Sequence, residues 1–301
     1  MAFLKQLGLV GGFLFLGLGG DVACGLAEEI AANAITVTPH RAVYDLTLAR
    51  AKPGSGIEDV AGTLRFEWDD TCDGWALNQT LNLTINEGED DEHTTTSTSA
   101  SWESKDGSLY RFSGRQTATG EGPETYRGSA TFATPGGKGL AHYVQPEAKD
   151  MPLEPGTLFP AAHTLLVLHK AQEGERLVTR SVFDGEDTEG VSLVSAFIGA
   201  PLAPDKAQGL LPKALRKSPL LTGATWPVQF AFFEPSSETG EPAYEMEMVL
   251  NAQGVVRTLK IDYGEFSIKG TLKKLERLKG PHCPAVPAVT DNGSGSRLSP
   301  G

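Results

Sequence analysis

DDTCDGWALNQTLNLTI, residues 69–85, places Trp75, Leu77, Leu81, Leu83 and Ile85 in alternation with Asn78, Thr80, Asn82 and Thr84. A period of two is the period of a strand with one buried face and one wet face. Asp73-Gly74 in front of it is a hairpin signal. VAGTLRFEW, residues 60–68, repeats the alternation on the other side of that turn. The stretch therefore reads strand–turn–strand, with Cys72 at the rim of a sheet.

The same pattern recurs along the chain. HTTTSTSASW (93–102) has high strand propensity and little charge. SLYRFSGRQTA (108–118), ETYRGSATFA (124–133) and GLAHYV (139–144) follow, with turn residues between them. ERLVTRSVFDG (175–185), GVSLVSAFIG (190–199), WPVQFAFFEP (226–235), PAYEMEMVLN (242–251), GVVRTLKIDYG (254–264) and FSIKGTLKKLERL (266–278) complete the series. Strands separated by turn signals predict an antiparallel, mainly β fold.

One segment departs from that rhythm. LFPAAHTLLVLHKAQEGE (158–175) has Pro160 where a first helical turn accepts it and Gly174 where a C-terminal cap favours it. Ala161, Ala162, Leu165, Leu166, Val167 and Leu168 cover nearly every side. A helix apolar all round is a buried helix, lying against or inside a strongly curved sheet. His163 reads as a core imidazole bonded to backbone, not as a catalytic group.

Residues 201–222, PLAPDKAQGLLPKALRKSPLLT, are of another kind: proline-rich, with Lys206, Lys213, Arg216 and Lys217 interleaved with Leu210, Leu211 and Leu215. They read either as a solvated excursion or as a flap that contacts a partner or an anionic lipid.

The ends bound the mature protein. Lys5, the apolar run Leu7–Leu18 and small residues after it form a secretory signal peptide, 1–27, with cleavage after Ala27. The run is too short to span a bilayer, so the processed chain is expected not to cross the membrane. Cys24 leaves with the signal; lipidation of Cys24 is the alternative, and Asp21 three residues upstream disfavours it. Residues 28–283 then form one domain, and the small, polar segment 284–301 is expected to be disordered. Exported cysteines usually pair, so Cys72 and Cys283 are expected to form a disulfide, with two free buried thiols as the alternative.

A formal net charge of −12 excludes nucleic acid as a partner. No nucleophile elbow or phosphate-cradling glycine loop occurs, and the six histidines are scattered. EGEDDEH (87–93) reads as an acidic turn in preference to a calcium site. The motifs point to a binding or structural protein with no catalytic residue, metal or cofactor.

PHRAVYDLTL (39–48), LFPAAHT (158–164), VFDGED (182–187) and LKIDYGEFSIKGTLKKLERL (259–278), in that order and followed by a late cysteine, resemble the EipB family of periplasmic cell-envelope integrity proteins. The resemblance implies an open, spiralled antiparallel β-sheet, similar to a broken barrel, wrapped around a central α-helix and exported to the periplasm. It implies a Cys72–Cys283 bond, which would staple the beginning of the spiral to its end. It also implies a shape similar to LolA and LolB, a role in envelope stress resistance and a tetratricopeptide-repeat partner.

The function expected from these readings is non-enzymatic. The protein would hold an apolar ligand, a lipid or lipoprotein acyl chain, or an envelope partner, in a cavity lined by Leu165, Leu168, Phe230 and Phe232. Leu210, Leu211 and Leu215 would form a movable cover, and Lys213, Arg216 and Lys217 would meet an anionic headgroup or acidic partner. A scaffold with a filled core and a cryptic envelope hydrolase are the alternatives.

Overall fold

Strands β1 (His40–Ala51), β2 (Asp59–Asp70), β3 (Gly74–Asn86), β4 (Glu92–Ser104), β5 (Leu109–Ala118), β6 (Glu124–Phe132), β7 (Gly139–Gln145) and β8 (Lys149–Leu153) form one meander. Strands β9 (Leu177–Val182), β10 (Ser192–Ile198), β11 (Thr225–Phe233), β12 (Tyr244–Asn251), β13 (Val256–Asp262) and β14 (Phe266–Arg277) form a second. Helix α1 (Pro160–Glu173) connects the two meanders. Helix α2 (Pro204–Gly209) and the tight turns Lys213–Leu215 and Pro219–Leu221 lie between β10 and β11. The computed structural model describes residues 37–88, 91–186, 190–234, 240–281 and 283. The signal-peptide and tail readings fall outside them.

All fourteen strands belong to one antiparallel sheet in the order β8-β7-β6-β5-β4-β3-β2-β1-β14-β13-β12-β11-β10-β9. The two meanders meet where β1 pairs with β14, as in Arg41 with Glu276 and Leu46 with Gly270. The first and last strands are therefore neighbours inside the sheet. This corrects the expectation that they are the beginning and end of the spiral. The free edges are β8 and β9, which are consecutive in sequence, and α1 runs from one to the other. They do not close into a barrel. The lead-in to α1 touches the β9 edge once: the Leu158 N–H donates to the Ser181 carbonyl and the Phe183 N–H to the Leu158 carbonyl, both at 2.9 Å.

The helix ends where its sequence says. Pro160 occupies the first turn, where an N–H is not needed. Gly174 takes the left-handed conformation, φ 83°, that a side chain disfavours. Leu166, Val167 and Ala171 pack on Val178, Val194 and Val228 of the second meander. Ala161 and Leu168 pack on Trp68, Trp75 and Leu250. Leu168 is 1% exposed, as a buried helix requires. Leu165 is only half-buried, at the margin of the same cluster.

Cys72 sits in the β2–β3 turn at φ 73°, and its N–H donates to Asp70 Oδ1 at 2.8 Å. It is bonded to Cys283, with Cα atoms 5.5 Å apart across 211 residues of sequence. Because β1 lies between β2 and β14, this bond bridges the entry of β1. The staple ties the β2–β3 turn to the segment after β14 at the centre of the sheet, not at its edges.

Candidate functional site: the half-covered concave face

The strand register fixes which side chains face the helix. Trp75, Leu77, Gln79, Leu81, Leu83 and Ile85 share one face of β3, opposite Glu103, Ser101, Ser99, Ser97, Thr95 and His93 of β4. At one end of this face Trp68, Trp75, Glu103 and Tyr110 are buried beneath α1. At the other end Val60, Leu83, Ile85 and Thr95 are buried as well. Between them Leu64, Phe66, Leu77 and Leu81 face inward and yet remain half-buried. Phe232, Met246 and Met248 of β11 and β12 have the same character, and Met248 packs against both adjoining apolar clusters. An aromatic ladder, with Phe232 stacked on Tyr244 at 4.3 Å and Tyr263 on Phe266 at 5.2 Å, edges this wall. The space over these residues, the lumen, is walled by partly buried apolar side chains that pack at the margins of the adjoining clusters.

The expected cavity residues divide between core and lumen. Leu165 and Phe232 are partly buried at the margins of two different clusters, whereas Leu168 and Phe230, 1% and 8% exposed, belong to the core. Sequence reasoning missed Leu64, Phe66, Leu77, Leu81, Met246 and Met248. Their alternation was visible, but their exposure depends on how far the sheet curls past the helix.

Residues 201–222 are built into the core, and the movable-cover reading is corrected. Leu211, Leu220 and Leu221 are almost wholly buried and pack among Tyr44, Leu46, Leu83 and Ile268. Leu215 is half-buried against the same cluster, and Leu210 is exposed. Two buried polar side chains hold the segment down. Arg257 donates to the carbonyls of Ala207 at 3.1 Å and Leu221 at 2.5 Å. Asn251 donates to the Leu220 carbonyl at 2.7 Å and accepts the Val255 N–H at 2.9 Å. Lys213, Arg216 and Lys217 are exposed on the outside of this cover. Arg216 Nε is engaged with the Leu211 carbonyl at 3.1 Å. A separate groove of about 450 Å³ lies on the convex side of β10–β14, with Phe197, Gln229, Glu247 and Lys269 in its lining.

Glu103 ties α1 to the sheet. Phe159 at the helix cap makes no side-chain bond, so the first N–H groups need an outside acceptor. Glu103, 2% exposed, provides both oxygens: Ala161 N–H donates to Oε2 and Ala162 N–H to Oε1, each at 2.8 Å. Burial raises the carboxyl from its ordinary 4.5 to about 8, and the two N–H donors oppose that shift. A raised carboxyl stabilises fully below the unfolded value near 4.5, and this contribution is lost as pH climbs through about 8. The melting temperature should therefore fall between pH 5 and pH 9 more steeply in the native protein than in Glu103→Gln. Parallel curves would remove Glu103 as the cause.

His163 is 7% exposed and stands edge-on to Phe230 at 6.1 Å. Burial first, and Arg180 second, lower its pKa to about 4, so it is neutral. Its Nε2 has no partner among the described residues, so the expected backbone bond is not made there. At the β3–β4 turn Glu87, Asp91 and His93 bring ligand atoms within 4.8 Å of one another. The 2.9 Å contact of His93 with Asp91 accounts for the approach of those two. No helix of the described residues is long and apolar enough to cross a membrane.

An unclosed, barrel-like antiparallel sheet wound around one helix, with a partly open apolar lumen, is the class of protein these features define. The EipB-like family model matches residues 31–279. The cell envelope integrity protein EipB of Brucella abortus (strain 2308) is 30% identical over 250 residues, which cover 82% of this chain and 86% of that protein. A crystal structure of a beta-barrel-like protein of domain of unknown function DUF1849 from Brucella abortus superposes with a TM-score of 0.72 at 29% identity, covering 82% of this chain and 100% of that one. The chain belongs to the EipB-like family.

Proposed function

We propose that this protein sustains cell-envelope integrity from the periplasm by sheltering an apolar ligand, a lipid or lipoprotein acyl chain, in the lumen between α1 and residues 201–222. The envelope role is supported by the kinship with a protein named for cell envelope integrity. The observation that carries the binding role is the row Leu64, Phe66, Leu77 and Leu81, which faces inward and is only partly buried at the margins of the core clusters. Apolar surface left wet in a concave site costs roughly 25 cal/mol per Å² relative to surface covered by a ligand. Native mass spectrometry of protein purified from periplasm should show lipid adducts, and Leu81→Arg should release them. Lipid-free native protein would favour the scaffold reading.

A protein partner is the second reading, on a different surface. Leu177 and Phe197 lie directly opposite one another on β9 and β10, 63% and 57% exposed, beside a free sheet edge. An envelope partner, including the tetratricopeptide-repeat protein implied by the resemblance, would dock there without competing for the lumen.

A further inference from the structure

The lumen has a second wall of different chemistry. Between the buried ends of β4, the inward positions are Ser101, Ser99 and Ser97, all half-buried. Gln79 on β3 lies opposite Ser99, and Gln116 on β5 lies opposite Ser97. Opposite Ser99 on the other side is Gly114. A Cβ on Gly114 would come within 2.0 Å of the Tyr126 ring, so that ring lies folded over the glycine. This brings the Tyr126 phenol beside Ser99. A row of amide and hydroxyl groups thus crosses β3, β4 and β6 next to the apolar wall of Leu64, Phe66, Leu77 and Leu81.

The amide and hydroxyl groups of the row are uncharged, and the charge beside it is the Glu124 carboxylate on β6, opposite Gln116. Glu103, at its end, is committed to the α1 backbone. The Glu186 and Asp184 carboxylates act on the Tyr126 phenol, and they oppose an anion there. On β9, Arg180 lies close enough to His163 to act on it, and it donates to the Thr179 carbonyl at 2.9 Å. The basic side chains of 213–217 are outside.

We infer that the lumen selects an amphiphile whose head is uncharged and rich in hydroxyl or amide groups, as in a glycolipid, over one with an anionic phosphate head. This rests on the ligand-sheltering function proposed above and names the ligand's chemistry. The apolar wall takes the chain. Ser97, Ser99, Gln79, Gln116 and Tyr126 exchange hydrogen bonds with the head, each acting as both donor and acceptor. A phosphate would lose its water shell in this row without gaining a cation.

The test compares three probes of equal chain length on delipidated full-length protein below their micelle concentrations: dodecyl maltoside, dodecyl phosphate and dodecyltrimethylammonium. Binding is followed by titration calorimetry. The maltoside should bind at least about tenfold more tightly than the other two, the equivalent of one or two well-made hydrogen bonds. Ser99→Ala combined with Gln79→Leu should erase that preference and leave dodecyl phosphate binding unchanged; Gln79→Leu alone should erase part of it if the double variant does not fold. Equal affinities for the three probes, or a preference for phosphate that Arg180→Gln abolishes, would overturn the head assignment and leave the lumen as a chain-binding site. If none of the three binds, the ligand-sheltering function itself fails.

Discussion

Cys283→Ser should destabilise the protein by about 2–5 kcal/mol and lower its melting temperature accordingly. Cross-linking across 211 residues removes a large loop entropy from the unfolded chain, about 5 kcal/mol in the chain-entropy model, and measured values usually fall below that ceiling. Cys72→Ser should cost a similar amount, and the double variant should add little, because either change removes one shared bond. The Cys283 variant is the cleaner probe. Cys72 has a left-handed backbone, φ 73°, and substitution there also alters a strained turn. Urea unfolding of the three variants, with thiol titration of the unfolded native protein, checks the prediction. Two titratable thiols in the native protein, or additive losses in the double variant, would show that the bond is not shared.

Arg257→Met should cost about 2–5 kcal/mol, as much as many large core truncations. The side chain is 2% exposed and binds two carbonyls on opposite ends of the 207–221 cover. Methionine fills much of the volume and leaves both carbonyls without their donor. Their desolvation is then uncompensated, which is the costly way to lose a hydrogen bond. Amide exchange should rise first in residues 203–221, and protease should cut there before the sheet yields. Deleting 205–217 should prevent folding, because Ala207 and Leu211 leave the core with it. A deletion that folds and melts like the native protein would restore the hinged-flap reading of this segment.

The faces of the strands and the extent of the helix were legible in the sequence because both are local. Pro160 and Gly174 mark α1 at its observed ends, and the alternation around Trp75–Ile85 gives the buried side of β3. Strand order was not legible. Period two says which way a side chain points, not which strand is its neighbour, so nothing in PHRAVYDLTL announces that it pairs with FSIKGTLKKLER. Glu103 escaped notice for a related reason. It closes a strand of threonines and serines, and the N–H groups it accepts are 58 and 59 residues away. The inward serines of β4 read only as strand formers until the register put Ser99 opposite Gln79. The 201–222 segment stood out by composition, but its attachment depends on Arg257, which sits unremarkably in the strand pattern of β13.

The pairing of β1 with β14 has a consequence for biogenesis. Arg41 finds its neighbour Glu276 only when nearly the whole chain has been synthesised. Until then the first meander offers β1 as an open edge, and the second, lacking β14, offers β13. Two unfinished sheets of this kind are templates for association with other chains. A ribosome that stops before Phe266 therefore releases two sticky half-sheets in place of a shortened working protein. Such products would depend on holding chaperones and be prime targets for proteases. The last dozen strand residues, β14, are what joins the two meanders into one sheet.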